Sequence, residues 1–265
     1  MMLSIELNGS MLNFDAFSPI DISMPLRFNG PQANAYGVDS ATAQPCQAGE
    51  IVGDTRLGGS VNFEQYSLIP HCNGTHTECV GHITDERISV RDCLRDVMVP
   101  AFLVTLEPEN GVLVRSSLEK VIEAVTYGLD PNTRVLEASS PALIVRTLPN
   151  DDSKLTRSYG VGNIPPYFTA DSMEYIVQCG FKHLLVDLPS IDRIFDEGKL
   201  INHRIFWNVE VGSRETHTAT RIYSTITELI YVPNEVSDGV YLLNLQIAPF
   251  ATDAAPSRPM LLKQL

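Results

Sequence analysis

Apolar positions along this chain gather into short runs rather than long helical stripes. Runs near 20–28, 61–69, 75–83, 99–106, 142–147, 182–187, 224–232 and 240–248, rich in Val, Ile, Leu and Thr, read as strands. Helical patterning is scarcer. Ser116 followed by Glu119 forms a capping box that predicts a helix start, with Gly128 to close it, and Thr169 is placed to cap a second helix ending at Gly180. Strands that outnumber helices, with single helical crossovers between them, predict an α/β fold. Residues 29–60 form a long segment with Gly and Pro that reads as an arm or a lid. The polar stretch 149–166 reads as a loop and is too short for a domain boundary, so one domain over 1–265 is expected.

Composition narrows the class. A chain of 265 residues with 44% hydrophobic and 19% charged content can bury a full core. It holds no apolar run of about 18 residues, the length a transmembrane helix needs. Its start, Met-Met-Leu-Ser-Ile-Glu-Leu-Asn, lacks the charge and apolar stretch of a signal peptide, so a cytoplasmic location is expected. Five cysteines, an odd number without regular spacing, suit free thiols better than a disulfide framework. A net charge of −13 argues against nucleic acid, whose phosphates need clustered Lys and Arg. The expected partners are a small-molecule substrate and further copies of the chain in a dimer or tetramer, with no nucleic acid and no membrane.

The chemistry concentrates in residues 71–82, His-Cys-Asn-Gly-Thr-His-Thr-Glu-Cys-Val-Gly-His, which hold three of the six histidines. Imidazole and carboxylate are the donors that a zinc- or manganese-class ion takes, and donors at i and i+2 of a strand share a face. His76 and Glu78 can therefore grip one ion. Gly74 and Thr75 suit a sharp entry into that strand, and His71 can swing back toward the same point. His82 lies six residues after His76, an even offset that keeps it on the same face if the strand continues, and it is a candidate acid/base. A rival arrangement is a structural zinc site of Cys72, Cys79, His76 and His82. It is the weaker one, because structural zinc draws its thiolates from short Cys-x-x-Cys pairs, and neither this pair nor Cys46, Cys93 or Cys179 has that spacing. His183, alone, reads as a satisfied polar residue. Ser190 has no His-Asp partner by spacing and reads as structural.

The segment 71–82 resembles the metal motif of the cyclase family of metal-dependent hydrolases, His-x-Gly-Thr-His-x-Asp-x-Pro-x-His, a group that includes kynurenine formamidase and isatin hydrolase. Three other stretches resemble family segments in the same order: Asp21–Leu26, Val186–Asp192 with its Asp-Leu-Pro-Ser, and Ala248–Phe250 with Asp253–Pro259. The resemblance implies a compact β-rich core with helices outside it, a swivelling β/α/β-like fold, and one or two divalent ions, Zn²⁺ or Mn²⁺. It also implies two further ligands from the C-terminal half, a Glu and a His. Glu228 is the natural Glu, and its strand adds an argument: Ile226, Glu228 and Ile230 alternate onto one face, where an ionised carboxylate is costly unless it meets a cation. For the His, His203 follows the Asp-Leu-Pro-Ser segment at a family-like distance, whereas His217 precedes Glu228 at one; His203 is preferred.

The departures are specific. One additional residue separates His71 from Gly74, so strict spacing puts Cys72 at the first ligand position, although His71 is favoured. Glu78 replaces Asp, one methylene longer, and Val80 stands where Pro is usual. The metal set expected is His71, His76, Glu78, His203 and Glu228, with His82 as acid/base. The expected reaction is hydrolysis of an amide-type C–N bond by metal-activated water, in a formamide, cyclic imide or lactam, the alternatives being a non-catalytic structural-zinc or metal-binding protein, or a lactone or ester hydrolase on the same fold. Family formamidases pack an aromatic substrate against an aromatic near the N-terminus. The single Trp, Trp207, lies far along the chain, so Phe14, Phe17 and Tyr36 are the candidates for that role.

Overall fold

A computed structural model describes residues 2–7, 10–126 and 141–265. Alternation within the central strands sorts their side chains into two cores. Phe102, Val104, Leu143, Val145, Leu184 and Val186 enter one cluster, while Ala101, Leu103, Ala142, Ile144 and Leu185 enter another. A strand buried on both faces must be apolar at nearly every position, which is why these segments read as unbroken runs.

Nine strands form the main sheet. In chain order they are β1 (Ile20–Asp21), β2 (His76–Glu78), β3 (Met98–Leu106), β4 (Ala142–Thr147), β5 (His183–Val186), β6 (Thr225–Glu228), β7 (Gly239–Asn244), β8 (Ala254–Pro256) and β9 (Met260–Lys263). Their spatial order is β8-β2-β6-β5-β4-β3-β7-β9-β1. The four central strands β3, β4, β5 and β6 are parallel, and the outer pairings are antiparallel. The sheet curls into a half-barrel, giving the expected mixed α/β fold. Helices α1 (Val90–Cys93), α2 (Arg115–Thr126), α3 (Ala170–Gln178) and α4 (Ile201–Trp207) accompany it. The last three cover one core through Leu118, Ile122, Met173, Ile176, Phe206 and Trp207. No helix among the described residues is long and apolar enough to cross a membrane.

Each predicted strand region contains strand, but with different limits. Of 20–28, only Ile20 and Asp21 form a strand, with Ser23 making an isolated antiparallel bridge to Ile230. The strand in 61–69, Glu64–Ser67, pairs with Thr42–Pro45 in an exposed ribbon outside the main sheet, so the long 29–60 segment carries strands of its own. The strand expected over 75–83 stops at Glu78, and Val80–His82 forms a 3₁₀ turn. Gly81 makes that turn possible, since a Cβ there would lie 2.2 Å from the Ile88 carbonyl oxygen. The strand expected over 224–232 stops at Glu228. Leu229 takes a left-handed backbone at φ 54°, so Ile226 and Ile230 fall into different cores instead of sharing a face.

Two helix ends also differ. The Ser116 capping box does not form: α2 starts at Arg115, which puts Ser116 inside the first turn, and Glu119 accepts from the Arg115 guanidinium at 2.6 Å. Gly128 lies outside the described residues. Thr169 does stand at the start of α3, but its hydroxyl meets Ser172 Oγ at 2.8 Å rather than a backbone N–H, and Gly180 ends the turn at φ 81°. Helix α4 carries no capping signal in sequence, because Leu200 precedes it. The missing cap comes from Asp192, whose carboxylate accepts from the Asn202 and His203 amides at 2.8 and 3.2 Å.

The segment between β5 and α4 is anchored by a buried ion pair. Asp187 accepts from Lys154 Nζ at 2.7 Å and from the Thr147 amide and hydroxyl, each at 2.8 Å, and Lys154 also donates to the Thr147 carbonyl. Burial still pushes the Asp187 carboxyl above its ordinary range, despite the ammonium beside it. Lys154→Ala should therefore lower stability by about 3–5 kcal/mol, because it leaves a buried carboxylate unpaired. Denaturant unfolding measures this, and a loss under about 0.5 kcal/mol, typical of an ordinary surface site, would show that the pair anchors nothing.

Candidate metal centre

The sheet register builds one wall of the site. Strand β2 lies between β6 and β8, with His76 directly opposite Glu228 and Glu78 opposite Ile226, so His76, Glu78 and Glu228 project from one face. Gly74, at φ 151°, turns the chain into β2, and its carbonyl lies 3.0 Å from His76 Nδ1. The Thr75 hydroxyl accepts from the Met24 amide at 2.7 Å and donates to the Leu229 carbonyl, tying the entry of β2 to the end of β6. His71 approaches from the preceding turn, with Nδ1 2.9 Å from Glu78 Oε2. His203 arrives on α4, with Nε2 3.1 Å from Glu78 Oε1 and 3.8 Å from Glu228 Oε1.

Three histidines share one orientation. Each has its outward nitrogen against an acceptor: Gly74 O for His76, Asp253 Oδ2 at 2.9 Å for His71, and Asp192 Oδ2 at 2.6 Å for His203. A ring nitrogen that donates outward leaves the other free to act as a ligand once it is deprotonated, and all three inward nitrogens point at the Glu78 and Glu228 carboxylates. His76 Nε2 is buried without a hydrogen-bond partner, and Glu78 Oε2, although 2.9 Å from His71 Nδ1, makes no well-aligned hydrogen bond. Buried polar atoms are seldom left so, and two carboxylates facing inward imidazole nitrogens fit a divalent cation. The donor atoms of His71, His76 and Glu78 lie within 4.8 Å of one another, as do those of Glu78, His82 and His203.

The electrostatics carry the same strain. Burial and the nearby Glu78 charge hold the Glu228 carboxyl well above its ordinary range, while Glu78, against burial, is held well below it by His82, His203 and His71. Burial and the neighbouring His71 push His76 down to about 4. His71 is driven the other way, to about 10, because the Asp253 and Glu78 carboxylates outweigh its burial. His203 is raised well above its usual value, since Asp192 and Glu78 outweigh a complete loss of solvent.

All six site residues expected from sequence come together: His71, His76, Glu78, His82, His203 and Glu228. His82 arrives by a different route, from the 3₁₀ turn instead of a continuing strand, with Nε2 4.0 Å from Glu78 Oε2 and its ring stacked on His71 at 4.2 Å. His217 is exposed and elsewhere, its Nδ1 accepting from the Ala219 amide, so of the two candidates it is His203 that stands at the cluster. Cys72 lines the cavity, yet Cys79 packs away from it with Val90, Cys93 and Ala255, so the Cys/His zinc arrangement is not assembled among the described residues. His183 is a satisfied core residue, bonded to Thr225 Oγ1 and Asp96 Oδ2. Of the candidate aromatics, Phe14 is buried in a separate cluster, Phe17 points to solvent and Tyr36 lines the cavity. Trp207 is buried behind His203, with ring centroids 5.4 Å apart.

Three supporting groups were not identified from sequence as parts of the site. Asp192 and Asp253 buttress His203 and His71, and the Ile191 amide donates to Glu228 Oε1 at 3.0 Å. Asp253 also lies 3.5 Å from His82 Nδ1, so one carboxylate orients two rings. Asp192 and Asp253 both fall in the family-like segments, but no spacing rule links Asp253 to a histidine 182 positions earlier.

Residues 20–193 match the model of the Cyclase family, described as "Putative cyclase". The chain belongs to this cyclase family. Its fold is that of solved metal-dependent hydrolases: a predicted metal-dependent hydrolase from Bacillus stearothermophilus is 15% identical with a TM-score of 0.58, covering 92% of this chain and 98% of that one. An isatin hydrolase bound to the product analogue thioisatinate is 12% identical at TM-score 0.60, covering 94% and 93%. Isatin hydrolase A from Ralstonia solanacearum is 12% identical at TM-score 0.61, covering 92% and 91%. No curated protein matches the chain.

Two expectations follow from the donor set. His76→Ala should abolish most divalent-metal binding, whereas Asp192→Asn, which loosens both the outward support of His203 and the cap of α4, should weaken it by about 10–100-fold. Metal content and competition with a chelator measure both; stoichiometric metal in folded His76→Ala protein would rule out this centre. The second concerns protons. An ion binds the deprotonated donors, but His71 keeps its proton up to pH about 10, and His203 and Glu228 also hold theirs above their ordinary values. Loading at neutral pH must therefore expel protons, and affinity should rise with pH by about 10-fold per unit for each proton released. Calorimetry in Hepes and in Tris reads the number directly, and identical heats in the two buffers would contradict it.

Proposed function

We propose that the chain is a metal-dependent hydrolase that cleaves an amide-type C–N bond in a formamide, cyclic imide or lactam. The observation that carries this is the convergence of His71, His76, Glu78, His203 and Glu228 on one buried point, with His82 at its open edge. Glu78 presents one oxygen toward His71 and the other toward His203, so the donor set can hold one ion or divide into halves for two. Nitrogen and carboxylate donors suit Zn²⁺ or Mn²⁺. Such an ion supplies Lewis acidity toward a substrate carbonyl and toward water at neutral pH.

The chain's own residues supply the rest. A cavity of about 420 Å³ opens onto the site and is lined by Tyr36, His71, His82, Ser190, His203 and Glu228. The substrate carbonyl is directed to the donor cluster, and the leaving nitrogen toward His82. Asp253 faces His82 Nδ1, which leaves Nε2 to take a proton from attacking water and deliver it to the departing amine. Ser190 Oγ accepts from the Asp192 amide at 3.1 Å, a structural role. The likeness of the fold to isatin hydrolases supports a cyclic amide among the candidate substrates. The five free cysteines suit a cytoplasmic setting, and we further propose a homo-oligomer, since Ile51, Leu57, Val61 and Tyr66 of the N-terminal arm are exposed.

The reading is tested by a screen of formamides, imides, lactams, lactones and esters on metal-loaded protein. Turnover confined to lactones and esters would overturn the C–N assignment. With a working substrate, His82→Ala should keep its metal and fold while losing about 10²–10⁴ in kcat, with a much smaller change in substrate binding. Near wild-type turnover would remove His82 from the mechanism, and loss of metal would make it a ligand.

A further inference from the structure

The cavity wall carries a cation, Arg193, that makes no ion pair among the described residues. Arg193 follows Asp192 and lines the same cavity as Tyr36, Ser190, His203 and Glu228. Its backbone is fixed on both sides. Asp192 is buried and bonded to His203 and the first amides of α4, while Ile194 is buried with Met24, Tyr159 and Leu229. The Arg193 side chain is exposed, and among the described residues no carboxylate oxygen lies within 4.0 Å of its nitrogens. The nearest acid along the wall, Asp196, is already engaged, accepting from the Gly198 and Leu200 amides at 2.8 and 2.5 Å.

Among the described residues several other arginines are engaged, while Arg27 and Arg87, exposed without an ion pair, lie outside this cavity. Arg146, Arg204 and Arg221 donate to carbonyls, and Arg115 and Arg258 pair with Glu119 and Asp21. In a chain of net charge −13, an exposed arginine on the wall of the site cavity with no ion pair among the described residues is available to an anionic ligand. Its planar fork matches a carboxylate by two parallel hydrogen bonds. Opposite, Tyr36 is held at φ 62°, a backbone that a bulky residue keeps only when its surroundings impose it; here its amide donates to the Tyr159 carbonyl at 3.1 Å. That loop presents a flat aromatic wall to the same space.

We propose that Arg193 anchors a carboxylate carried by the substrate away from the scissile bond, so that the substrate class is an anionic amide, imide or lactam. This rests on the hydrolase reading above and adds its selectivity. Arg193 acts as a specificity-determining residue, setting the end of the substrate that faces outward while the carbonyl enters the donor cluster.

Two measurements on metal-loaded protein test it. Benzenesulfonate, an anion that ligates metal weakly, should bind the wild type, and Arg193→Gln should weaken that binding by about 10–100-fold, with partial recovery in Arg193→Lys. The ratio of kcat/KM for the 2-, 3- and 4-formamidobenzoates to that for formanilide should favour at least one anionic member by about 10-fold or more, chiefly through KM, and fall toward unity in Arg193→Gln. No binding of benzenesulfonate, or equal binding by wild type and Arg193→Gln, overturns the anchor, as does hydrolysis without anionic preference. Arginine-dependent benzenesulfonate binding without hydrolysis of any amide supports the anchor and overturns the C–N reading instead.

Discussion

Two carboxylates, Glu78 and Glu228, stand on one face of one sheet with almost no access to water, and the surrounding architecture answers the cost of that burial. Isolated, each would sacrifice far more solvation than a domain of this size can spare. The response is layered. Three imidazoles point one ring nitrogen inward, their outward nitrogens are held by Gly74, Asp253 and Asp192, and a backbone amide reaches Glu228. With protons alone the cluster is left uneven: the Glu78 carboxyl is pushed down by the imidazoles around it, Glu228 is pushed up by burial and the Glu78 charge, and His76 Nε2 is left without a hydrogen-bond partner. A divalent charge at the centre resolves every one of these conflicts at once.

The Val186–Asp192 segment joins the site to the scaffold. Its first acid, Asp187, is locked to Lys154 and Thr147; its Ile191 amide holds Glu228; its last acid, Asp192, both orients His203 and caps the helix that carries it. A displacement at any point of this short run moves two donors together.

Much of this was legible in sequence where the signal was local. The His76–Glu78 pair declared itself because period two and donor chemistry coincide within three residues, whereas Glu228 was named by the family resemblance, and the isoleucine alternation offered beside it does not hold beyond Glu228. The central strands were visible as apolar runs. What escaped was governed by contacts between distant segments. The 3₁₀ turn that delivers His82 depends on the close approach of Gly81 to Ile88, helix α4 on a cap supplied by Asp192, and the fate of Ile230 on the left-handed backbone of Leu229. Ser116 misled for the opposite reason: a correct local signal was overruled when Glu119 paired with Arg115.

The position of β2 in the sheet has a consequence for how the molecule comes into being. This strand, three residues long and carrying two of the donors, pairs only with β6 and β8, whose residues follow it by about 150 and 180 positions. Early in synthesis it has no neighbour, and the pairings that complete it close very long loops, the slowest kind of contact to form. The parallel core of β3, β4 and β5 can associate before then, but the donor strand must wait for the C-terminal third of the chain. Chemical competence is thereby tied to the last events of assembly, and an incomplete chain exposes its histidines singly, without the enclosure that makes them a site.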